Sequence, residues 1–182
     1  QDGDDTLDGG AGDDVLIGSV GADTIRFGRG DGHDVVLDGQ GTPDTPAHTL
    51  AFKAGITAGD VRVRRVFDAW NGGLQAIEFT VAGSGGGGGD TITFNGFFLG
   101  DDPAAGTDGL RQATFADGTV WSRAKLIELA LATGSGDDLV RGLVGADALF
   151  GGAGHDTLAG AAGDDLLSGD AGSAELYGDA GA

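Results

Sequence analysis

The sequence predicts an all-β chain in which two blocks of flattened, right-handed parallel β-helix flank a small β-rich insert with one short helix. Three observations predict it. A nine-residue motif, Gly-Gly-x-Gly-x-Asp-x-aliphatic-x, recurs near both ends of the chain. Between those blocks lie runs rich in β-branched and aromatic residues that largely alternate apolar with polar. One segment, SRAKLIELALA (122–132), has its apolar residues at helical spacing.

The first block occupies residues 1–38. QDGDDTLD (1–8) fits the later positions of the motif, GGAGDDVLI (9–17) fits all of it, and GSVGADTIR (18–26) fits the same frame with Ser19 at the second position. GRGDGHDVV (28–36) fits with two extra residues before its aspartate. Each unit reads as a turn of about six residues followed by a strand of about three. Glycines at the first, second and fourth positions let the turn reach angles that a Cβ would forbid. In the strand only the central residue points inward, because side chains alternate across a pleat. Two units then make one coil, with the aliphatic residues stacked inside. A single coil cannot bury that stripe, so stability needs several stacked coils.

The insert occupies residues 39–132. DGQGTPDTPAH (38–48) is a loop broken by Pro43 and Pro46. VRVRRVF (61–67), LQAIEFTV (74–81) and DTITFNGFF (90–98) read as strands. FADGTVW (115–121) places Asp117-Gly118 between apolar flanks, the signal of a two-residue hairpin loop. The helix over 122–132 starts at Ser122, a good N-cap, with Leu126, Ile127, Leu129, Ala130 and Leu131 as its apolar face. GSGGGGG (83–89) holds a G-x-G-x-x-G spacing at Gly83, Gly85 and Gly88. A strand follows it and no Gly-Lys-Ser/Thr is present, so it reads as a flexible connection and not a phosphate cradle. Trp70, Phe97, Phe98 and Trp121 could form a sugar-stacking platform, with Trp70 beside Asn71-Gly72 the best exposed candidate; core packing is the commoner use of such residues. Lys53, Arg62, Arg64 and Arg65 form the one local basic cluster, suited to a solvated face, contact with the acidic blocks, or an anionic ligand.

The second block occupies residues 133–182, and the motif's period can be tested there by counting. The fourth position is glycine in six successive frames: Gly136, Gly145, Gly154, Gly163, Gly172 and Gly181. Glycine is 39 of 182 residues, so chance would give that run roughly once in ten thousand trials, and a true repeat architecture is the reading that survives. The eighth position is Val140, Leu149, Leu158, Leu167 and Leu176, always aliphatic. The sixth is Asp138, Asp147, Asp156 and Asp165, then Ala174. A disordered glycine- and aspartate-rich linker would explain neither the period nor the aliphatic position.

The aspartates imply a ligand. Stacked turns bring the carboxylate of one unit near that of the unit two further on, beside carbonyl oxygens exposed by the glycine-rich backbone. Acidic groups so placed repel unless a cation lies between them. All-oxygen, flexible coordination suits Ca²⁺ better than Mg²⁺. Zinc is a poor fit, since cysteine is absent and His33, His48 and His155 show no ligand spacing.

Charge follows the same division. Acidic residues number 29 against 10 basic ones, a net charge of −19. Residues 1–38 carry ten acids and two bases, and residues 133–182 carry nine acids and one base, so the excess sits in the repeats. No basic footprint for nucleic acid is present, nor any membrane-spanning run or signal peptide. With no initiator methionine, and with repeats at both its limits, the sequence reads as a piece of a longer polypeptide.

These residues carry a family resemblance. The nonapeptides at about 1–38 and 133–182 resemble the RTX (repeats-in-toxin) family, which implies calcium-binding parallel β-rolls. LAFKAGITAGDVRVRR (50–65), DTITFNGFF (90–98) and ATFADGTVWSRAKL (113–126) resemble the haemolysin-type calcium-binding protein related domain found between such blocks in large secreted bacterial proteins. The resemblance implies several Ca²⁺ ions, held between Asp138 and Asp156, Asp147 and Asp165, Asp5 and Asp23, and Asp14 and Asp34. The turns containing Gly12, Gly136, Gly145, Gly154 and Gly163 would complete the sites. The sequence departs from the pattern at the two extra residues before Asp34 and at Ala174, where the carboxylate is missing. The resemblance also implies a secreted, extracellular or cell-surface location, type I export, and other domains of a parent protein as partners.

No catalytic constellation is legible. Gly-x-Ser-x-Gly, His-Glu-x-x-His and any cysteine nucleophile are all absent, so the chain reads as a non-enzyme. Two functions of different class follow: a calcium-triggered folding and structural module, or an adhesive module whose insert binds a glycan or protein.

Overall fold

Repetition at an interval of two units organises both ends of the chain. The computed structural model describes residues 3–18, 20–37, 47–66, 76–83, 89–98 and 109–181. The chain divides into two units, Gln1–Phe98 with Gly106–Ala130, and Leu99–Ala105 with Leu131–Ala182.

In the first unit the repeats supply β1 (Thr6–Leu7), β2 (Val15–Leu16), β3 (Thr24–Phe27) and β4 (His33–Val36). Alternate strands pair in parallel, with Thr6 opposite Thr24 and Val15 opposite Val35. The insert contributes β5 (Ala47–Phe52), β6 (Val61–Val66), β7 (Ala76–Val81), β8 (Asp90–Phe94), β9 (Gly109–Thr114), β10 (Val120–Ser122) and helix α1 (Arg123–Ala130). These strands continue the stacking begun by the repeats. β5 lies parallel to β3, β9 parallel to β5, and β8 parallel to β4. The result is two five-stranded sheets, β1-β3-β5-β9-β10 and β2-β4-β8-β7-β6, each shared by repeat and insert.

The inward alternation is clear where the insert adds its large side chains. Ile25, Phe27, Leu50 and Phe52 of the first sheet are buried, as are Ile77, Phe79, Ile92 and Phe94 of the second. Phe79 meets Phe52 edge-on at 6.1 Å and Phe94 edge-on at 6.0 Å, so it ties one sheet to the other. Phe115 stacks on Phe52 at 4.8 Å and takes Trp121 against its own ring at 4.8 Å. Phe97 and Phe98 are buried and pack together, with the guanidinium of Arg123 over Phe97 and that of Arg65 over Phe98. Three members of the aromatic platform considered above are therefore packing residues. Trp70 lies outside the described residues, as do Pro43, Pro46 and most of the glycine run.

Several local expectations change in detail. β5 begins at Ala47, inside the segment 38–48 read as a loop, because its residues pair with β9 and β3. β8 ends at Phe94, and a turn replaces the rest of the strand read over 90–98. The Asp117-Gly118 hairpin has a three-residue loop: Phe115 N–H bonds Thr119 O at 2.9 Å, and Gly118 N–H bonds Phe115 O at 3.0 Å. Gly118 has φ +88°, so a turn followed by a left-handed residue replaces the two-residue form. The helix spans Arg123–Ala130 and buries only Leu126 and Ala130. Ser122 Oγ accepts Lys125 N–H at 3.4 Å, as an N-cap should.

The second unit consists of β11 (Leu139–Arg141), β12 (Ala148–Phe150), β13 (Ala153–Ala159), β14 (Leu166–Ser168) and β15 (Ala171–Tyr177). They form two parallel sheets, β11-β13-β15 and β12-β14. Leu139 stands opposite Thr157 and Ala148 opposite Leu166, the two-unit interval of the motif. Leu149 and Leu158 are buried, while their outward neighbours Leu139, Phe150 and Leu166 are exposed. Leu176 is 48% exposed, since no described strand covers the far side of β15. β13 and β15 are longer than a three-residue strand because their turn residues also stack in register, from Ala153 opposite Ala171 onward.

The fourth-position glycines explain that close stacking. Gly154 has φ +145°, and a Cβ there would collide with the carbonyl of Gly136 in the coil before it. Any side chain would push the coils apart.

Phe79 is fully buried between the sheets of the first unit. We expect Phe79→Ala to lower the unfolding free energy by about 3–5 kcal/mol, measured by urea denaturation of the calcium-saturated chain. A loss below about 1 kcal/mol would mean that this ring does not join the two sheets.

Candidate metal centre

Stacking places the sixth-position aspartates in columns and joins them by one recurring hydrogen bond. The backbone N–H of Asp5 donates to Oδ1 of Asp23 at 2.9 Å, and that of Asp14 to Oδ1 of Asp34 at 3.0 Å. Asp138 donates in the same way to Asp156, and Asp147 to Asp165, each at 3.0 Å. The two aspartates of each pair named from the sequence are thus neighbours in the stack, joined by one backbone-to-carboxylate bond. The two extra residues before Asp34 leave its pairing with Asp14 intact.

The second oxygen of each later carboxylate is treated differently. Oδ2 of Asp23, Asp34, Asp156 and Asp165 is buried and has no hydrogen-bond partner. Three of them press against the first glycine of their own unit: a Cβ on Gly18, Gly151 or Gly160 would collide with the carboxylate of Asp23, Asp156 or Asp165. The first-position glycine therefore makes room for this oxygen. The earlier members of the second-unit pairs are better satisfied, since Asp138 Oδ2 accepts Gly134 N–H at 3.0 Å and Asp147 Oδ2 accepts Leu143 N–H at 2.7 Å. Ala174 stands opposite Asp156 and supplies no oxygen to continue that column.

A buried carboxylate oxygen without a donor is costly, by about 1–3 kcal/mol or more for a charged group. Burial pushes the Asp34 carboxyl above its usual pKa of 3.8; the Asp14 N–H works against this, and the charges of Asp14 and Asp31 reinforce it. The donor set fits a hard cation. Among the described residues no group of three or more His, Cys, Asp or Glu side chains gathers into a metal cluster. An ion held by one of these pairs would need further oxygens, from the main chain or from water. The carbonyls of Gly12, Gly136, Gly145, Gly154 and Gly163 lie at the coil-to-coil contact, beneath Gly32, Gly154, Gly163, Gly172 and Gly181. Two carboxylates with main-chain carbonyls form an oxygen-only set, which suits Ca²⁺.

Four features escaped the sequence reading. Fifth-position aspartates form a parallel outer ladder, in which Oδ1 of Asp4, Asp13 and Asp137 accepts the N–H of Ala22, His33 and His155. The Asp-Asp doublets were their signal. Lys53, assigned above to a basic cluster, sets its ammonium between Asp8 (2.6 Å) and Asp31 (2.8 Å). Burial acts to lower the Lys53 pKa, but the two carboxylates outweigh it and raise it; the bond to Lys53 holds Asp8 below its usual value. Asp90 accepts both Gly30 N–H (2.9 Å) and Gly32 N–H (3.1 Å). His48 receives the N–H of Asp23 on Nδ1 at 3.1 Å. The other members of the basic cluster disperse: Arg64 pairs with Glu78 at 2.7 Å, and Arg65 covers Phe98.

Comparison with known proteins agrees with this geometry. Residues 1–33, 131–158 and 150–182 match the family described as RTX calcium-binding nonapeptide repeat, in four copies. Residues 84–125 match the haemolysin-type calcium binding protein related domain. No curated protein matches the chain.

The raised pKa of Asp34 carries a sign. The folded state keeps this proton to higher pH than the unfolded state, so metal-free stability falls as pH rises from 3.8 through the raised value. Asp34→Asn keeps an oxygen for Asp14 N–H and removes the charge. We expect the calcium-free variant to be more stable than wild type at pH 7 and no more stable below about pH 4, in urea titrations at both pH values. Equal stabilisation at both would remove the buried charge as the cause.

Proposed function

We propose, from the premise that the chain is built of RTX calcium-binding nonapeptide repeats around a haemolysin-type calcium binding protein related domain, that its repeats are β-rolls folded by calcium outside the cell. The repeats bind Ca²⁺. The observation that carries the finer reading is the set of buried Oδ2 atoms without a donor on Asp23, Asp34, Asp156 and Asp165. Each belongs to a carboxylate pair, and the reading assigns one ion to each pair: Asp5 with Asp23, Asp14 with Asp34, Asp138 with Asp156, and Asp147 with Asp165. Carbonyls of the glycine turns complete each shell.

The energetics make calcium decisive. A site with a dissociation constant of ~0.1 mM in ~1 mM calcium gains about 1.4 kcal/mol. Several such sites reach about 4–6 kcal/mol, comparable with the whole stability of a small domain. In the low free calcium of a cytosol the columns would repel and the chain would stay extended for export. In extracellular calcium they would close. The second unit depends most on this, because it buries few large side chains, chiefly Leu143, Leu149 and Leu158. The first unit shares its sheets with an aromatic core. In this role the chain is structural and not catalytic, a stabilising module for the other domains of a secreted protein. An adhesive role for the insert would rest on Trp70, since Phe97 and Phe98 are committed to the core.

Far-UV circular dichroism with amide hydrogen exchange tests the reading. Chelation with EGTA should remove most of the β signal of residues 131–181, and added calcium should restore it. A spectrum and exchange pattern indifferent to EGTA would refute it. Replacing both Asp138 and Asp156 by Asn should shift the calcium midpoint of refolding severalfold upward; an unchanged midpoint would remove that pair from the sites.

A further inference from the structure

We propose that His48 is a metal-free rung in an aspartate column, marking where calcium sites stop and the insert begins. The inference rests on the calcium reading of the carboxylate pairs. Thr6 stands opposite Thr24, and Thr24 opposite Thr49. The residues just before them, Asp5, Asp23 and His48, therefore occupy one column, although 25 positions separate the last two.

His48 reproduces the bond that the repeats use. Asp5 N–H donates to Oδ1 of Asp23 at 2.9 Å, and Asp23 N–H donates to Nδ1 of His48 at 3.1 Å. A ring nitrogen that accepts this hydrogen directs its lone pair at the backbone and carries no proton. It thus replaces one aspartate oxygen. The second oxygen and the negative charge have no counterpart: the ring presents carbon instead, and Cε1 lies 3.4 Å from where a Cβ on Gly18 would stand. Both side chains are almost wholly enclosed, His48 at 2% and Asp23 at 0% exposure, and Nδ1 of His48 also stands 3.4 Å from Oδ2 of Asp23, farther than the backbone N–H it accepts. A calcium ion between them would have one carboxylate and a nitrogen already engaged, where it favours several oxygens.

The neighbouring column ends at the same level. Ile92 stands opposite Asp34 in β8, so neither column carries a carboxylate into the insert. One column closes with an apolar residue and the other with a neutral hydrogen-bond acceptor. His48 keeps the ladder continuous while ending its demand for metal.

Calcium stoichiometry of the 182-residue chain, by isothermal titration calorimetry and native mass spectrometry, decides the matter. His48→Asp restores the missing oxygen and charge and should bind one more ion per chain than wild type. His48→Asn keeps an acceptor for Asp23 N–H without charge and should leave the count unchanged. A folded H48D with the wild-type count overturns the proposal, and so does an H48N that loses an ion, since His48 would then be a ligand. If H48D does not fold, H48N alone decides between these outcomes. A wild-type count of zero removes the calcium reading and this inference with it; a normal count with no gain in H48D removes this inference alone.

Discussion

Stacking in register turns each position of a repeated motif into a column of like residues, and a column of carboxylates is the constraint that everything else must accommodate. The coils approach closely because fourth-position glycines, such as Gly154 above the carbonyl of Gly136, admit the backbone of the adjacent coil. The same closeness brings Asp138 against Asp156 and Asp147 against Asp165. One oxygen of the later member accepts a backbone N–H, and the other is enclosed without a donor. Apolar stacking alone cannot balance that charge in the second unit, whose inner stripe is one residue wide. On the proposed reading a cation is part of the fold rather than an ornament on it.

The first unit also holds built-in cations, beside carboxylates that lie outside the columns. Lys53 lies between Asp8 and Asp31, and Arg29 reaches Asp60 at 3.1 Å. The longer turn at 28–32 positions these groups. It raises Arg29 and Asp31 toward the insert and presents the N–H groups of Gly30 and Gly32 to Asp90. What looks like a flaw in the repeat is the adapter that seats β8 on β4. Repeat and insert then share sheets, hydrogen bonds and a core.

Much of this was legible in the sequence, because the motif repeats at a fixed interval and each position has one physical task. The stacking of the aspartates, the inward leucines, β6, β7, β8 and the capped helix follow from local pattern, whereas β5 and β9 do not. The attachment of the insert does not. His48 joins Asp23 only through the pairing of β5 with β3, at a separation of 25 residues that no multiple of nine gives. Lys53 read as one of four neighbouring cations, yet its partners lie 45 and 22 residues away. Phe97, Phe98 and Trp121 could be read as exposed or packed until the fold buried the first two and set the half-buried Trp121 against Phe115. Pattern identifies what is repeated, and long-range pairing decides where the repetition is interrupted.

The interval of two units also sets how such a chain can vary in length. Inserting or removing a whole coil returns every strand to its own sheet and every aspartate to its column. Half a coil preserves the motif but transfers each following strand to the opposite sheet, so β5 and β8 would meet the wrong neighbours. Other increments break the columns unless new contacts absorb them, as the turn at 28–32 does with Arg29, Asp31 and Asp90. Length in this architecture is counted in coils, and a departure from that count marks a place where the repeat has been joined to something else.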